Sequence, residues 1–361
     1  MAEIMSTMTE TSVTAASPGP SPDTILERLR CCEDGRIVGG SAELRCTSCG
    51  RTYAVIGDIL DLRPDPSMDT ALDLDTYDDH HAVSEENART IYKVYGLGLD
   101  QATRPLADGQ ILEIGSGTGN LTIGLARFGP FAEIHCSDIS LRFMQALDKK
   151  LTPSDRAKIR KYLLDANVFP FRDQTFDAVV GSSILHHLIN FENTLAEAHR
   201  VLRPGGVAVF GEPMMETRAL VYLAAEQILA VDDMLPEPRL NKITRNVLKS
   251  VAGTGALKMR NLLNRDAETQ AKEDKFVFPE NHMRETARRL GYSDYKVVQY
   301  APVEDAAEIV RRELRRIVGP THADLDAVLS FDAVIAPFKS AYQASLGRFM
   351  GQTFAMNVFV R

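Results

Sequence analysis

The 361 residues carry 41 Lys and Arg against 49 Asp and Glu, a net charge of -8, which argues against a protein whose main business is neutralising nucleic-acid phosphates while leaving room for a local basic patch. No stretch approaches the roughly 20 consecutive apolar residues of a membrane span, and residues 1–23 lack the basic start and apolar run of a signal peptide, so the expected location is the cytoplasm, with no membrane partner. The length suits one main core with appendages, and five cysteines, four of them between Cys31 and Cys49, point to a local metal knot rather than a disulfide framework.

Residues 1–23 are rich in Thr, Ser, Ala and Pro and bury too little apolar surface to repay their ordering entropy, so they are expected to be a disordered tail. Residues 24–66 read as a small cysteine ribbon of short strands, with Thr52, Tyr53, Val55 and Ile56 as β formers before a Gly57-Asp58 turn. Cys46-Thr47-Ser48-Cys49-Gly50 has the spacing of a zinc knuckle. The other half departs from it: Cys31 and Cys32 are adjacent, Asp34 stands where a second C-x-x-C would place its ligand, and neighbouring thiolates chelate one tetrahedral ion poorly. The candidate ligands are Cys31, Cys32, Cys46 and Cys49. Three outcomes stay open: structural zinc on Cys31, Asp34, Cys46 and Cys49, zinc on three thiolates and a water, or a ribbon without metal that stands on packing. Asp69–Leu99 reads as helices leading into the main domain, which is expected to span residues 67–361.

From Gln110 short apolar strands alternate with amphipathic helices, which predicts an α/β, doubly wound parallel sheet covered on both faces. The predicted strands are Ile111–Ile114, Glu133–Ser137, Ile159–Leu164, Ala178–Gly181 and Val207–Gly211, with helices near Leu121–Phe128, Leu141–Leu151 and Phe191–Leu202. After Pro213 the rhythm breaks. Residues 215–274 predict a helical lid, whose Gly253 and Gly255 suit helices that hinge. A strand at Lys275–Phe278, a helix over Glu280–Leu290 and a strand at Tyr295–Tyr300 then resume the sheet, and residues 303–350 form a second helical insertion before a last strand, Thr353–Val360.

Chemistry concentrates at the carboxyl ends of the first strands. Ile111-Leu112-Glu113-Ile114-Gly115-Ser116-Gly117-Thr118-Gly119-Asn120 reads as strand, glycine turn and helix start. A dinucleotide fingerprint would place its third glycine where Asn120 stands. Glu113 would repel phosphate yet suit a ligand with sulfonium and ammonium groups, and S-adenosylmethionine has both. Asp138, nineteen residues after Gly119, is placed for ribose hydroxyls, and Asp165 for an adenine amino group, with Ile139 and Ala166 covering the ring faces. The expected cofactor set is Glu113, Gly115, Ser116, Gly117, Gly119, Asn120, Asp138, Ile139, Asp165, Ala166 and Ser182.

Together with Pro170-Phe171, Phe176-Asp177-Ala178-Val179, Leu185-His186-His187-Leu188 and Arg200-Val201-Leu202-Arg203-Pro204-Gly205-Gly206, these residues make the chain resemble the class I S-adenosylmethionine-dependent methyltransferases of the small-molecule, type 11-like kind. The resemblance implies a seven-stranded Rossmann-like sheet whose final strand is antiparallel, and the segment from Cys46 to Leu62 resembles the zinc ribbon found ahead of several bacterial methyltransferases. The resemblance says little about the substrate; the two helical insertions would enclose a pocket and the charge disfavours RNA, so the expectation is O-, N- or C-methylation of a small-molecule acceptor, with specialised metabolism as one setting. Candidate bases are His186, His187 and Glu212, each of which could equally be a structural element of its loop. Tyr77, His80, His81 and Tyr92 lie in the segment that folds over the cofactor in related enzymes and are candidates for the acceptor pocket. Two alternatives stand beside this reading: an RNA base methyltransferase that recognises substrate through its ribbon, disfavoured by the charge, and a cofactor-binding partner without catalysis. A homodimer is compatible with the sequence.

Overall fold

The computed structural model describes residues 26–32, 35–39, 43–70, 72–74, 83–298, 305–339 and 354–361. Four short strands open the chain, β1 (Ile37–Gly39), β2 (Glu43–Cys46), β3 (Thr52–Ile56) and β4 (Ile59–Asp61), followed by helix α1 (Glu85–Leu99). The alternating region gives β5 (Gln110–Ile114), α2 (Asn120–Phe128), β6 (Glu133–Asp138), α3 (Leu141–Lys150), α4 (Pro153–Lys158), β7 (Ile159–Leu163), β8 (Phe176–Ser182), α5 (Phe191–Val201) and β9 (Leu202–Pro213). Next come α6 (Met215–Met234), α7 (Lys242–Leu263), α8 (Ala267–Gln270), α9 (Glu280–Arg289), β10 (Asp294–Val298), α10 (Ala306–Val318), α11 (Leu325–Leu329), α12 (Asp332–Ile335) and β11 (Phe354–Val360).

Strands β7, β6, β5, β8 and β9 lie side by side and parallel. β11 runs antiparallel between β9 and β10, so the seven-stranded arrangement implied by the resemblance is present. Both faces are covered, which is why the central strands are buried almost throughout. One face packs against α1, α2 and α3 through Tyr95, Leu125 and Leu147. The other packs against α5, α9 and the N-terminal strands through Phe191, Met283 and Tyr53.

The ribbon is part of this sheet rather than a separate knot. β4 pairs parallel with β7, which makes one sheet of eleven strands, and Arg28 forms an ion pair with the buried Glu133 of β6. Arg63, 8% exposed, is clamped by Asp61 at 2.6 Å and donates to the Ile139 carbonyl at 3.2 Å.

Lys275–Phe278 is not a strand of the sheet: it makes one parallel bridge, Phe278 to Met214, because Phe276 and Phe278 both turn into the core beside Phe191. An apolar tetrapeptide reads alike as strand or as buried loop. Helix α7 runs unbroken through Gly253 and Gly255. A Cβ at Gly255 would stand 2.2 Å from the Tyr222 ring, so this glycine lets α7 approach α6 closely rather than acting as a hinge. Helices α6, α7, α10, α11 and α12 share a third core around Ile228, Leu248, Leu314 and Ile335. No described helix is long and apolar enough to cross a membrane.

Candidate active site

Two cavities adjoin at the carboxyl ends of β5, β6, β7 and β8, where open α/β sheets bind ligands. The first, about 460 Å³, is lined by Gly115, Gly117, Asp138, Ile139, Asp165 and Ala166, a size that suits a nucleoside-like ligand. The second, about 430 Å³, is bounded by Glu113, Ser116, Gly119 and Asn120 on the sheet side and by the helical layer on the other. Gly115, Ser182, Ser183 and His187 border both. All eleven residues assigned to the cofactor thus line one or both cavities.

The glycine turn is shaped by contact as well as by backbone conformation. Gly119 has φ +100°, and a Cβ there would meet Leu147 at 2.1 Å. The turn is held from β6: Asp138 accepts from the Gly117 amide and from the Ser140 amide, each at 2.9 Å. Burial pushes its carboxyl up, opposed by these amides. Asp165 accepts from the backbone and side-chain nitrogens of Asn167, which fixes the carboxylate at the mouth of the first cavity. Glu113 is 1% exposed and bonds the Thr122 hydroxyl at 2.5 Å. Burial raises it to about 8, so it is protonated at neutral pH and meets a cationic ligand as a group that must first release its proton.

Glu212 is fully buried and lines neither cavity. Its carboxylate accepts from the Ile184 amide at 3.0 Å, the Leu185 amide at 2.7 Å and His186 Nδ1 at 2.6 Å. It therefore caps the 3₁₀ turn Leu185–His187 and orients His186, the structural one of the two roles that the sequence left open for it. Burial opposes the charge on His186, but Glu212 and Asp274 outweigh it and raise the ring to about 9. At neutral pH His186 is a cation and holds no free lone pair for a base. His187 has the reverse balance: burial and the neighbouring His186 lower its pKa. Its Nδ1 donates to the Glu273 carbonyl at 3.1 Å, leaving Nε2 as the lone-pair nitrogen.

Residues 112–210 match the family described as methyltransferase domain, and over 138 residues the sequence is 30% identical to the ubiquinone/menaquinone biosynthesis C-methyltransferase UbiE of Desulfotalea psychrophila. The matched segment is thus similar to a methyltransferase domain. The UbiE match covers 36% of this chain and 55% of that protein. Malonyl-(acyl-carrier protein) O-methyltransferase of Geobacter sulfurreducens is 31% identical over 151 residues, 41% of this chain and 54% of that one. The chain spans about half the length of the curated relatives it matches. Among solved structures, the YcgJ protein of Bacillus subtilis aligns with a TM-score of 0.40 at 16% identity, over 75% of this chain and 96% of that one.

Within the methyltransferase domain and its surroundings some predicted acceptor residues fall elsewhere. Tyr92 packs on α2, its ring 6.3 Å from that of Phe128, and borders neither cavity. Its place one turn before the buried Tyr95 makes it part of the α1–α2 contact. Tyr77, His80 and His81 lie outside the described residues. Residues that the sequence did not single out do border the cavities: Asp69 and Leu72 from the segment before α1, and Arg218, Lys258, Asp274 and Arg316 from the helical layer. Single charged residues on helices carry no spacing signal.

The four N-terminal thiols converge. All four Sγ atoms lie within 4.8 Å of one another, with Cys31 and Cys49 at 3.4 Å and Cys32 and Cys46 at 3.7 Å. The adjacent pair Cys31-Cys32 therefore does aim both sulfurs at one point, contrary to the expectation from their spacing, while Asp34 lies outside the described residues. Zinc with bonds of about 2.3 Å in a tetrahedron separates its thiolates by about 3.8 Å, so the donor set fits such an ion. The Cys49 and Ser48 amides lower Cys46 to about 6, whereas burial pushes Cys31 up to about 12 and the Cys46 sulfur raises Cys32, so it is the convergence of the four sulfurs that favours an ion. A second cluster, His186, His187 and Asp274, also brings its donor atoms within 4.8 Å.

Proposed function

We propose that this protein transfers a methyl group from S-adenosylmethionine to a small-molecule acceptor. The first cavity receives the adenosine, with Asp138 for the ribose hydroxyls, Asp165 for the adenine amino group, and Ile139 and Ala166 on the ring faces. The cofactor supplies a methyl on a sulfonium, so the protein's task is alignment and exclusion of water. The observation that carries the reading is the junction of the two cavities at Ser182, Ser183 and His187: the first suits the adenosine, and the second, bounded by Glu113, Ser116, Gly119 and Asn120, takes the methionyl end of the cofactor beside the acceptor.

His187 takes the acceptor's proton, because among the candidates it alone borders both cavities and is neutral near pH 7. Glu212 positions the turn on which it sits. The helices of residues 215–274 act as a lid, and the helices within residues 305–339 pack against them, which favours an enclosed small molecule over RNA. The matched relatives are named for a carbon and an oxygen acceptor, so the atom is left to the assay; specialised metabolism is the setting we favour. The cysteine cluster holds a structural zinc that fixes the ribbon on the sheet edge.

Calorimetry tests the reading: S-adenosylmethionine and S-adenosylhomocysteine are expected to bind with micromolar affinity and NAD not at all. Binding of NAD without either adenosyl ligand would overturn it.

A further inference from the structure

The second cavity has a wall that methyl transfer by itself does not call for. Arg218 of α6, Lys258 of α7 and Arg316 of α10 all reach it, although they come from three different helices. They are close enough to act on one another: Arg218 and Arg316 both influence the Tyr222 hydroxyl, and Arg218 also acts on Lys258. His186 adds a fourth cation to the lining.

Against these cations the lining sets the carboxylates of Asp274 and Glu273, with Glu113 raised by burial to about 8. Lys258, whose side chain is 15% exposed, lies 3.4 Å from Asp274, a carboxylate shared with His186 at 3.4 Å and His187 at 3.7 Å. Arg316 pairs with Glu313 at 2.8 Å. Arg218 has no carboxylate partner among the described residues, and its Nε is buried without a hydrogen bond. Arg316 is 55% exposed, but Lys258 and the Arg218 Nε are largely covered, and crowding like charges where water is partly excluded costs stability unless an anion completes the wall. Guanidinium groups are the side chains best matched to carboxylate and phosphate oxygens.

We infer that the acceptor is an anion, whose carboxylate or phosphate group is held by Arg218, Lys258 and Arg316 while its methyl-accepting atom faces His187. The inference rests on the proposed methyl transfer and adds the substrate class. The cofactor's own carboxylate is the competing occupant, but it is a single charge accompanied by its own ammonium, whereas the wall offers three cations.

The experiment uses the full chain with malonate and inorganic pyrophosphate as probes, at ionic strength held constant with sodium chloride. In the presence of saturating S-adenosylhomocysteine, one or both anions are expected to raise the melting temperature in a saturable way. Arg218→Met and Lys258→Met, each checked for fold by circular dichroism, are expected to weaken that response at least tenfold while changing S-adenosylhomocysteine affinity less than threefold. No response beyond the chloride control would overturn the inference. So would variants that lose S-adenosylhomocysteine tenfold and keep the anion response, which would assign the cations to the cofactor. A chain that binds no S-adenosylhomocysteine, yet shows an anion response that the variants lose, would sink the methyltransferase reading and leave the anion site standing.

Discussion

Replacing Glu113 by Gln should stabilise the protein near neutral pH. In the unfolded chain this carboxyl titrates at 4.5, and burial in the fold raises it to about 8. Between those values the unfolded chain is ionised while the folded chain keeps the proton, so each pH unit removes about 1.36 kcal/mol of stability. At about pH 7.5 the accumulated cost is roughly 4 kcal/mol, of which the Thr122 hydroxyl bond is already a part. Glutamine keeps an acceptor for that hydroxyl and never ionises. Urea unfolding of both proteins at pH 5, 6, 7 and 8 should therefore give a difference that is near zero at pH 5, grows through pH 7 and levels off above about pH 8. A constant difference across that range would refute the argument, because it would show that Glu113 titrates alike in both states.

Three further outcomes follow from the site. Asp138→Ala should weaken S-adenosylhomocysteine binding by about 1–3 kcal/mol, since it removes both a ligand contact and the brace on Gly117; calorimetry reads it, and unchanged affinity would displace the ribose site. His187→Gln should lower kcat with cofactor affinity preserved, and the wild-type rate should fall on the acid side below pH 6.5, because burial lowers this ring's pKa and only its neutral form accepts a proton. Mass spectrometry under native conditions should find one zinc per chain, and Cys46→Ser or Cys32→Ser should lose it together with several degrees of melting temperature; a full zinc complement in Cys32→Ser would return the ligand set to three thiolates.

The sheet was legible because its strands are apolar on both faces and its turns carry glycine at fixed offsets. The Gly115–Gly119 turn, Asp138 and Asp165 mark three strand ends in order, and all three border the first cavity. Residues whose role depends on contacts far along the chain were not legible. Glu212 was readable as a loop carboxylate that bonds backbone amides, but which amides it meets shows only once β9 is placed beside β8, where it reaches Leu185. The cations of the second cavity lie on helices brought together by tertiary packing alone. The adjacent Cys31 and Cys32 were read by a spacing rule for knuckles, yet the turn around Gly35 sends both sulfurs inward, with no room for a Cβ beside Cys46 Sγ.

The position of β11 bears on how the chain acquires its structure. This strand fills the gap between β9 and β10, which are complete in sequence long before residues 354–360 are synthesised. Until then neither neighbour has its β11 partner, and two strand edges, with Val207, Val209 and Phe210 on β9 and Val297 and Val298 on β10, stand open to pairing with other chains. The closing step joins segments more than a hundred residues apart, Val207 with Val360, and such distant pairing is slow. Folding should therefore be gated at the C-terminus, and chains truncated before residue 354 should collect in aggregates rather than as soluble, partly active protein.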